Sequence, residues 1–310
     1  MFKWTEKQFV PFPKGVTWAA HSVLQPTPLR LNDDVIRIYC GMRSDDGVSR
    51  VGYIDVKASN PAEVLNVSQA PALDIGQDGM FDENGVVPCA VIREDDKIYM
   101  YYAGYQLGHK IKFYVFSGLA VSHDNGETFE RVQNVPVLER SHQEPFFRVV
   151  HTMMPDGNGG YHAWYGAGGH FVEGEKAPRP VYDVKYAHVK NLTDFPRVGE
   201  TVLTLNEGET RVGRPYVRQT TEGFAMFYGF ETIGEPYKLG YATSTDGCNW
   251  VRKDEAFNLD KEHPEELEMQ GYPAFLTTAY GDYLFYNGND YGKKGFYCCK
   301  LNSADCTFVK

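Results

Sequence analysis

Five short stretches of this 310-residue chain each set ionisable or amide side chains just ahead of an apolar, proline-bearing run. GVTWAAHSVLQPTP carries Trp18, His21 and Gln25, and GMFDENGVVP carries Asp82, Glu83 and Asn84. RSHQEPFFRVVH carries His142, Glu144 and His151. EGETRVGRPY carries Glu209, Arg211 and Arg214, and EELEMQGYP carries Glu266, Glu268 and Tyr272. Carboxylates opposed across an aromatic-lined pocket suit chemistry at a glycosidic bond. One protonated carboxyl gives its proton to the leaving oxygen, while a second carboxylate activates water or attacks. Crowding carboxylates raises the pKa of one of them and keeps a proton donor available near neutral pH.

Residues so far apart act together only if the fold makes them converge, and the chain has a repeat that does this. Five segments read IRIYCGMR, KIYMYYAGY, YHAWYGAGG, FAMFYGFET and DYLFYNGND. Their aligned tyrosines, Tyr39, Tyr102, Tyr165, Tyr228 and Tyr286, are separated by 63, 63, 63 and 58 residues. Ahead of each runs a proline-bearing apolar strand: QPTPLRL, VVPCAVI, EPFFRVV, GRPYVRQ and GYPAFLT. Proline cannot donate to a ladder, so it belongs on an edge strand or at a strand's first residue. Behind the tyrosines a third strand recurs as VGYIDV, SGLAVS, VKYAHV, LGYATS and GFYCCKL. Two units then carry an Asp–Gly turn, Ser122 to Arg131 and Ser244 to Arg252. Its side chains fold back on their own backbone, and its aromatic is expected to pack on the sheet.

About four strands per unit, five units and no long amphipathic helix predict an all-β chain. The expected fold is a single five-bladed β-propeller, with four-stranded antiparallel blades around a central channel. The blades fall near residues 20–75, 76–140, 141–205, 206–262 and 263–310. The segment before residue 20 is expected to supply the strand that closes the ring, so residues 1–310 form one domain. In a propeller the inner strands start at one mouth of the channel. The five lead-in stretches then share one funnel.

Composition narrows the partners. A net charge of −10 gives no electrostatic footprint for nucleic acid and opposes an anionic membrane surface. The start, MFKWTEKQFVPFPKG, has no apolar core of a signal peptide, so a cytoplasmic location is expected. Cys40, Cys89, Cys248, Cys298, Cys299 and Cys306 lack zinc or redox spacing and read as reduced, mostly buried thiols. The histidines, His162 and His170 among them, form no HEXXH motif, so no metal is expected. Carboxylates and carbonyls in the funnel are chemically suited to Ca²⁺, but no calcium-loop motif specifies it. GAGGH lacks the following helix of a phosphate loop. Trp18, Trp164 and Tyr272 suit stacking on sugar faces, and equally suit a blade core. Arg43 suits a ligand carboxylate or phosphate, and equally suits pairing with Asp45 or Asp46.

The five-unit pattern with acidic lead-ins resembles the five-bladed glycosidase superfamily, which includes glycoside hydrolase families 32, 43, 62, 68 and 130. The phrases FDENGVVPCAV, RSHQEPFF, ELEMQGYPAF and YNGNDYGKKGFY resemble a bacterial subgroup associated with surface-polysaccharide gene clusters. Family 43 takes a base from its first blade, an orienting Asp from its second and a general acid from its third. The resemblance puts Asp82 at the orienting position and Glu144 at the acid. The first lead-in departs from the pattern, with His21 and Gln25 where the base is expected. His21 or Glu268 would then handle the nucleophile. Trp18, Gln25, Asn84, His142 and Tyr272 would line the sugar site, with Arg43 and Arg214 on an anionic group. A glycoside-active enzyme taking a carbohydrate or sugar phosphate is the expected function. A phosphorylase, which needs no base but needs cations such as Arg43, Arg50, Arg211 and Arg214, is the rival on the same fold. A non-catalytic carbohydrate-binding propeller is the other.

Overall fold

The structure, a computed structural model, describes residues 2–174, 178–302 and 307–309; Cys306 lies outside them. Among the described residues, twenty strands fall into five antiparallel sets of four. Strand β1 (Lys3–Pro11) comes first and is used last. Unit one is β2 (His21–Arg30), β3 (Val35–Arg43), β4 (Ser49–Lys57) and β5 (Asn60–Val67). Unit two is β6 (Val86–Glu94), β7 (Lys97–Leu107), β8 (Phe113–Ser122) and β9 (Glu130–Arg131). Unit three is β10 (Phe147–Pro155), β11 (Tyr161–Val172), β12 (Arg179–Val189) and β13 (Glu200–Leu203). Unit four is β14 (Glu209–Thr220), β15 (Gly223–Thr232), β16 (Lys238–Ser244) and β17 (Val251–Arg252). Unit five is β18 (Gly271–Thr278), β19 (Gly281–Asn287) and β20 (Gly295–Asn302), completed by β1 on β20.

Hydrogen bonding joins units two, three and four into one long sheet, but through narrow parallel seams. Among the described residues, the ladder pairs are Phe147↔Val115 and Arg148↔Phe116 between two and three, and Tyr182↔Arg211 between three and four. The first strand of each unit touches the first strands of its neighbours, and β18 touches β2.

Each sheet is apolar on both faces because it packs between two others. Successive side chains of a strand point to opposite faces. Phe227 therefore joins Phe275 and Tyr286 of unit five, while Met226 and Tyr228 join Trp164 and Val184 of unit three. Tyr101 faces unit three and Tyr102 faces unit one. A further cluster joins Ile36, Ile38 and Ile54 to Phe285 and Phe296. Five such clusters, one per junction, explain the near-continuous apolar runs around the repeat tyrosines. Tyr102 and Tyr228 lie across from Gly118 and Gly240 on the next strand. A Cβ at those glycines would come within 2.1 and 2.3 Å of the tyrosine rings, so only glycine fits there.

The Asp–Gly turns form as the sequence predicts. Asp124 accepts hydrogen bonds from the backbone of Glu127 and Thr128, and Asp246 does so from Cys248 and Asn249. Phe129 packs edge-on to Tyr39, whose hydroxyl donates to the Gly126 carbonyl. Among the described residues, no helix is long and apolar enough to cross a membrane.

Candidate functional site

The five inner strands share one irregularity. Each slips register with its partner at an equivalent place: around Gln25 in β2, Cys89 in β6, His151 in β10, Arg214 in β14 and Tyr272 in β18; β2 and β14 carry a second shift nearer their start. These positions are 64, 62, 63 and 58 residues apart, the period of the repeat. A β-bulge bends its strand and re-aims a side chain. Gln25, Arg214 and Tyr272 each precede a proline and adopt a left-handed backbone, with φ of 60°, 54° and 58°. A residue before proline favours extended backbone, and a left-handed φ is strained for a non-glycine residue. The surrounding structure holds that strain at three equivalent places.

Four of the five bulge residues, Gln25, His151, Arg214 and Tyr272, line a central cavity of about 570 Å³. That is a typical size for a small-molecule site. Every unit contributes to its wall. Aromatic rings dominate: Phe147 stacks on Tyr182 at 4.5 Å, and Tyr272 lies 5.7 and 6.1 Å from Tyr237 and Tyr291. Five cations share the wall, namely Arg43, Lys112, Arg179, Arg211 and Arg214. No carboxylate lines it among the described residues. Glu231, buried and off the wall, pairs with Arg179 at 2.6 Å and Arg211 at 3.0 Å. Arg43 pairs with neither Asp45 nor Asp46.

Arg214 reaches from unit four to units one and two. Its guanidinium donates to the carbonyls of Cys89 at 2.6 Å and Pro26 at 3.2 Å, and to the Thr27 hydroxyl at 3.1 Å. Gln25 Nε2 also donates to the Pro88 carbonyl at 2.7 Å. Burial pushes the Arg214 pKa down to about 10. Burial, with Arg214 nearby, holds His151 well below the usual imidazole range, so its ring is neutral.

The lead-in carboxylates sit elsewhere. Asp82 is fully buried, accepts from the Tyr102 hydroxyl at 3.0 Å and pairs with Arg131 at 2.7 Å. Glu144 is buried, accepts from Tyr165 at 3.2 Å and pairs with Arg148 at 2.5 Å. Burial pushes its pKa up, and Arg148 offsets that only in part. Glu209 takes Arg252 through both oxygens, and Arg252 also holds Asp254, the acceptor of the Tyr228 hydroxyl. Glu266 accepts from Tyr286 at 2.6 Å and pairs with Lys7 at 2.6 Å. Burial would raise Glu266, but Lys7, Tyr286 and Gln270 together hold it below its ordinary value. Four repeat tyrosines thus each end on a carboxylate that is tied to a cation.

The remaining expected site residues lie off the cavity wall. Trp18 donates to the Ser68 carbonyl at 3.1 Å and packs over Gly52. His21 contacts the Ser22 hydroxyl at 2.9 Å. Asn84 accepts from the Leu107 amide at 2.9 Å. Glu268 is exposed. His142 is exposed, on the rim of a second cavity of about 630 Å³ bounded by residues 137–143 and 195–198. Arg50 pairs with Asp74 at 2.7 Å. Trp164 is buried in the junction of units three and four. The structure therefore brings Gln25, Arg43, Arg214 and Tyr272 together, along with Arg211 and His151. Lys112, Phe147, Arg179, Tyr182, Tyr237 and Tyr291 join them without a motif of their own; the bulge period could have found His151.

The fold is shared with solved glycoside hydrolases. Superposition on a glycoside hydrolase gives a TM-score of 0.71 at 16% identity, covering 97% of this chain and 91% of the other. A thermostable family-43 glycoside hydrolase gives 0.67 at 16% identity, covering 94% of both chains. A structure from glycoside hydrolase family 130, a family of mannoside phosphorylases that contains hydrolases of β-1,2 mannosidic linkages in Candida mannan, gives 0.67 at 14%. It covers 95% of this chain and 94% of the other. In sequence, the chain is 27% identical over 288 residues to the uncharacterized protein Rv1502 of Mycobacterium tuberculosis, covering 92% of this chain and 94% of that one. No family model matches.

Proposed function

We propose that the five units are the blades of a closed five-bladed propeller, and that the protein is a glycoside-active enzyme whose substrate sits in the central cavity. One observation carries this reading. Strained bulges at the same point of the repeat turn Gln25, Arg214 and Tyr272, with His151, into one aromatic-walled pocket. Backbone strain repeated by symmetry around a cavity marks a site that the fold maintains. Aromatic faces beside polar groups suit a sugar ring, and the fold is one that glycoside hydrolases use.

Asp82 and Glu144 support a different role from the one implied by the family-43 resemblance. Asp82 Oδ2 holds both Tyr102 and Arg131, leaving Oδ1 buried without a partner, and the Glu144 oxygens hold Tyr165 and Arg148. We read them as latches between sheet and turn. A cation-rich wall with no carboxylate pair among the described residues favours the phosphorylase or glycosyl-transfer reading over hydrolysis. In that reading phosphate or another acceptor replaces activated water. A role in bacterial surface-polysaccharide metabolism is consistent with the sequence phrases quoted above.

The test is a panel of oligosaccharides and sugar phosphates incubated with the full chain, with and without inorganic phosphate. Products are read by chromatography against the Tyr272→Ala variant. Phosphate-dependent turnover lost in the variant supports the reading. Binding without turnover under every acceptor condition favours the carbohydrate-binding propeller. Turnover unchanged in the variant would move the site off this cavity.

A further inference from the structure

We propose that the central cavity is built for a negatively charged carbohydrate, its anionic group held by Arg43 and Arg214. This rests on the cavity being the carbohydrate site, and names the class of carbohydrate it takes. The shared chemistry is a phosphate or a carboxylate on the sugar.

Three residues of this wall each hold one buried polar atom without a hydrogen-bond partner: Nε of Arg43, Nε of Arg214 and Nδ1 of His151. Arg214 is 3% exposed and His151 is 6% exposed. Neither Arg43 nor Arg214 pairs with a carboxylate among the described residues. A buried cation without a counter-ion is costly, and an arriving anion recovers that cost. Burial of Arg214 accordingly lowers its pKa, to about 10.

The balance of donors and acceptors points the same way. Guanidinium and ammonium groups only donate. The described wall offers five of them, and Glu231 behind it answers only Arg179 and Arg211. A neutral sugar brings hydroxyls that also donate, and the described wall offers them no carboxylate as a strong acceptor. A phosphate or carboxylate brings acceptors alone, in the planar or tetrahedral array that a guanidinium fork matches. The surrounding protein is acidic, with net charge −10, so the cationic cavity is a local inversion of the whole chain's charge.

The experiment is calorimetric titration of the full chain, at low and high salt, with inorganic phosphate, glucose 1-phosphate, glucuronate and glucose. The expected result is at least tenfold tighter binding of glucose 1-phosphate or glucuronate than of glucose, weakening as salt rises. Preference for glucose 1-phosphate identifies a phosphoryl group, and preference for glucuronate a carboxylate. Arg43→Gln is expected to abolish the preference while its melting temperature stays within a few degrees of the parent's, and Arg43→Lys to retain part of it. Glucose binding as tightly as its anionic counterparts overturns the proposal and leaves the carbohydrate site standing. A preference that survives Arg43→Gln also overturns it. Binding of inorganic phosphate alone, with no sugar, supports the anion subsite and contradicts the carbohydrate reading. No binding of any probe contradicts both.

Discussion

Arg214 Nη1 lies 2.6 Å from the carbonyl oxygen of Cys89, which belongs to unit two, two units away along the chain. The same guanidinium reaches Pro26 and Thr27 of unit one. One side chain therefore ties three inner strands together beside the cavity. Its removal leaves bulge carbonyls without their donor. Arg214→Met is expected to cost about 2 kcal/mol, a fall of roughly 4 °C in melting temperature by calorimetry. An unchanged melting temperature would mean that water replaces the guanidinium without loss.

Glu144 separates a latch from a catalytic acid. Its pairing with Arg148 and Tyr165 is buried, and Glu144→Gln leaves Arg148 without a counter-charge. The variant is expected to lose about 3 kcal/mol of stability in denaturant unfolding. Carbohydrate affinity and turnover, measured well below its melting temperature, should stay within about twofold of the parent's. A variant of normal stability but lost turnover would restore the acid role that the family-43 resemblance implies.

Asp124 makes a pH prediction. Burial alone would raise its pKa, but hydrogen bonds from Thr128, Ser122 and Glu127 hold it at about 2, against 3.8 for the free side chain. A lowered carboxyl pKa favours the folded state above the unfolded value. Its contribution is therefore whole above about pH 4 and is lost as pH falls toward 2. Asp124→Asn should melt below the parent at pH 7 by the equivalent of about 1 kcal/mol. The gap should close between pH 4 and pH 2. A gap independent of pH would show that the charge contributes nothing to the turn.

Tyr272 tests the aromatic wall. It is held at φ 58° on a bulge, between Tyr237 and Tyr291. Tyr272→Ala should weaken binding of any sugar the cavity takes by about tenfold. Equal affinity in titration would remove ring stacking from the account.

Much of this was legible in the sequence, because the repeat tyrosines and the inner-strand prolines obey packing rules. Tyr102 and Tyr228 sit between two sheets, across from glycines, so their spacing survives wherever the unit survives. The final strand was legible too, as the segment before residue 20, because β20 needed a partner. The cavity was legible in part. Gln25, Arg214 and Tyr272 stand out because each precedes a proline within an inner strand. His151 and Cys89 lack that mark and show only through the 62- to 64-residue period. Acidic lead-ins suggest a funnel of carboxylates. In the structure Asp82, Glu144 and Glu266 meet buried tyrosine hydroxyls, which need acceptors of their own. Sequence places a carboxylate ahead of a strand but does not say which side of the strand it serves. Arg179 and Lys112 reach the wall from a strand end and a loop, and no short motif marks either.

The most direct test of the central claim is diffraction from crystals soaked with glucose 1-phosphate and, separately, glucuronate. Ligand density is expected in the central cavity, with the ring beside Tyr272 and the anionic group at Arg43 and Arg214. Density confined to the second cavity, between residues 137–143 and 195–198, or a central cavity that stays free of both ligands while they bind in solution, would contradict it.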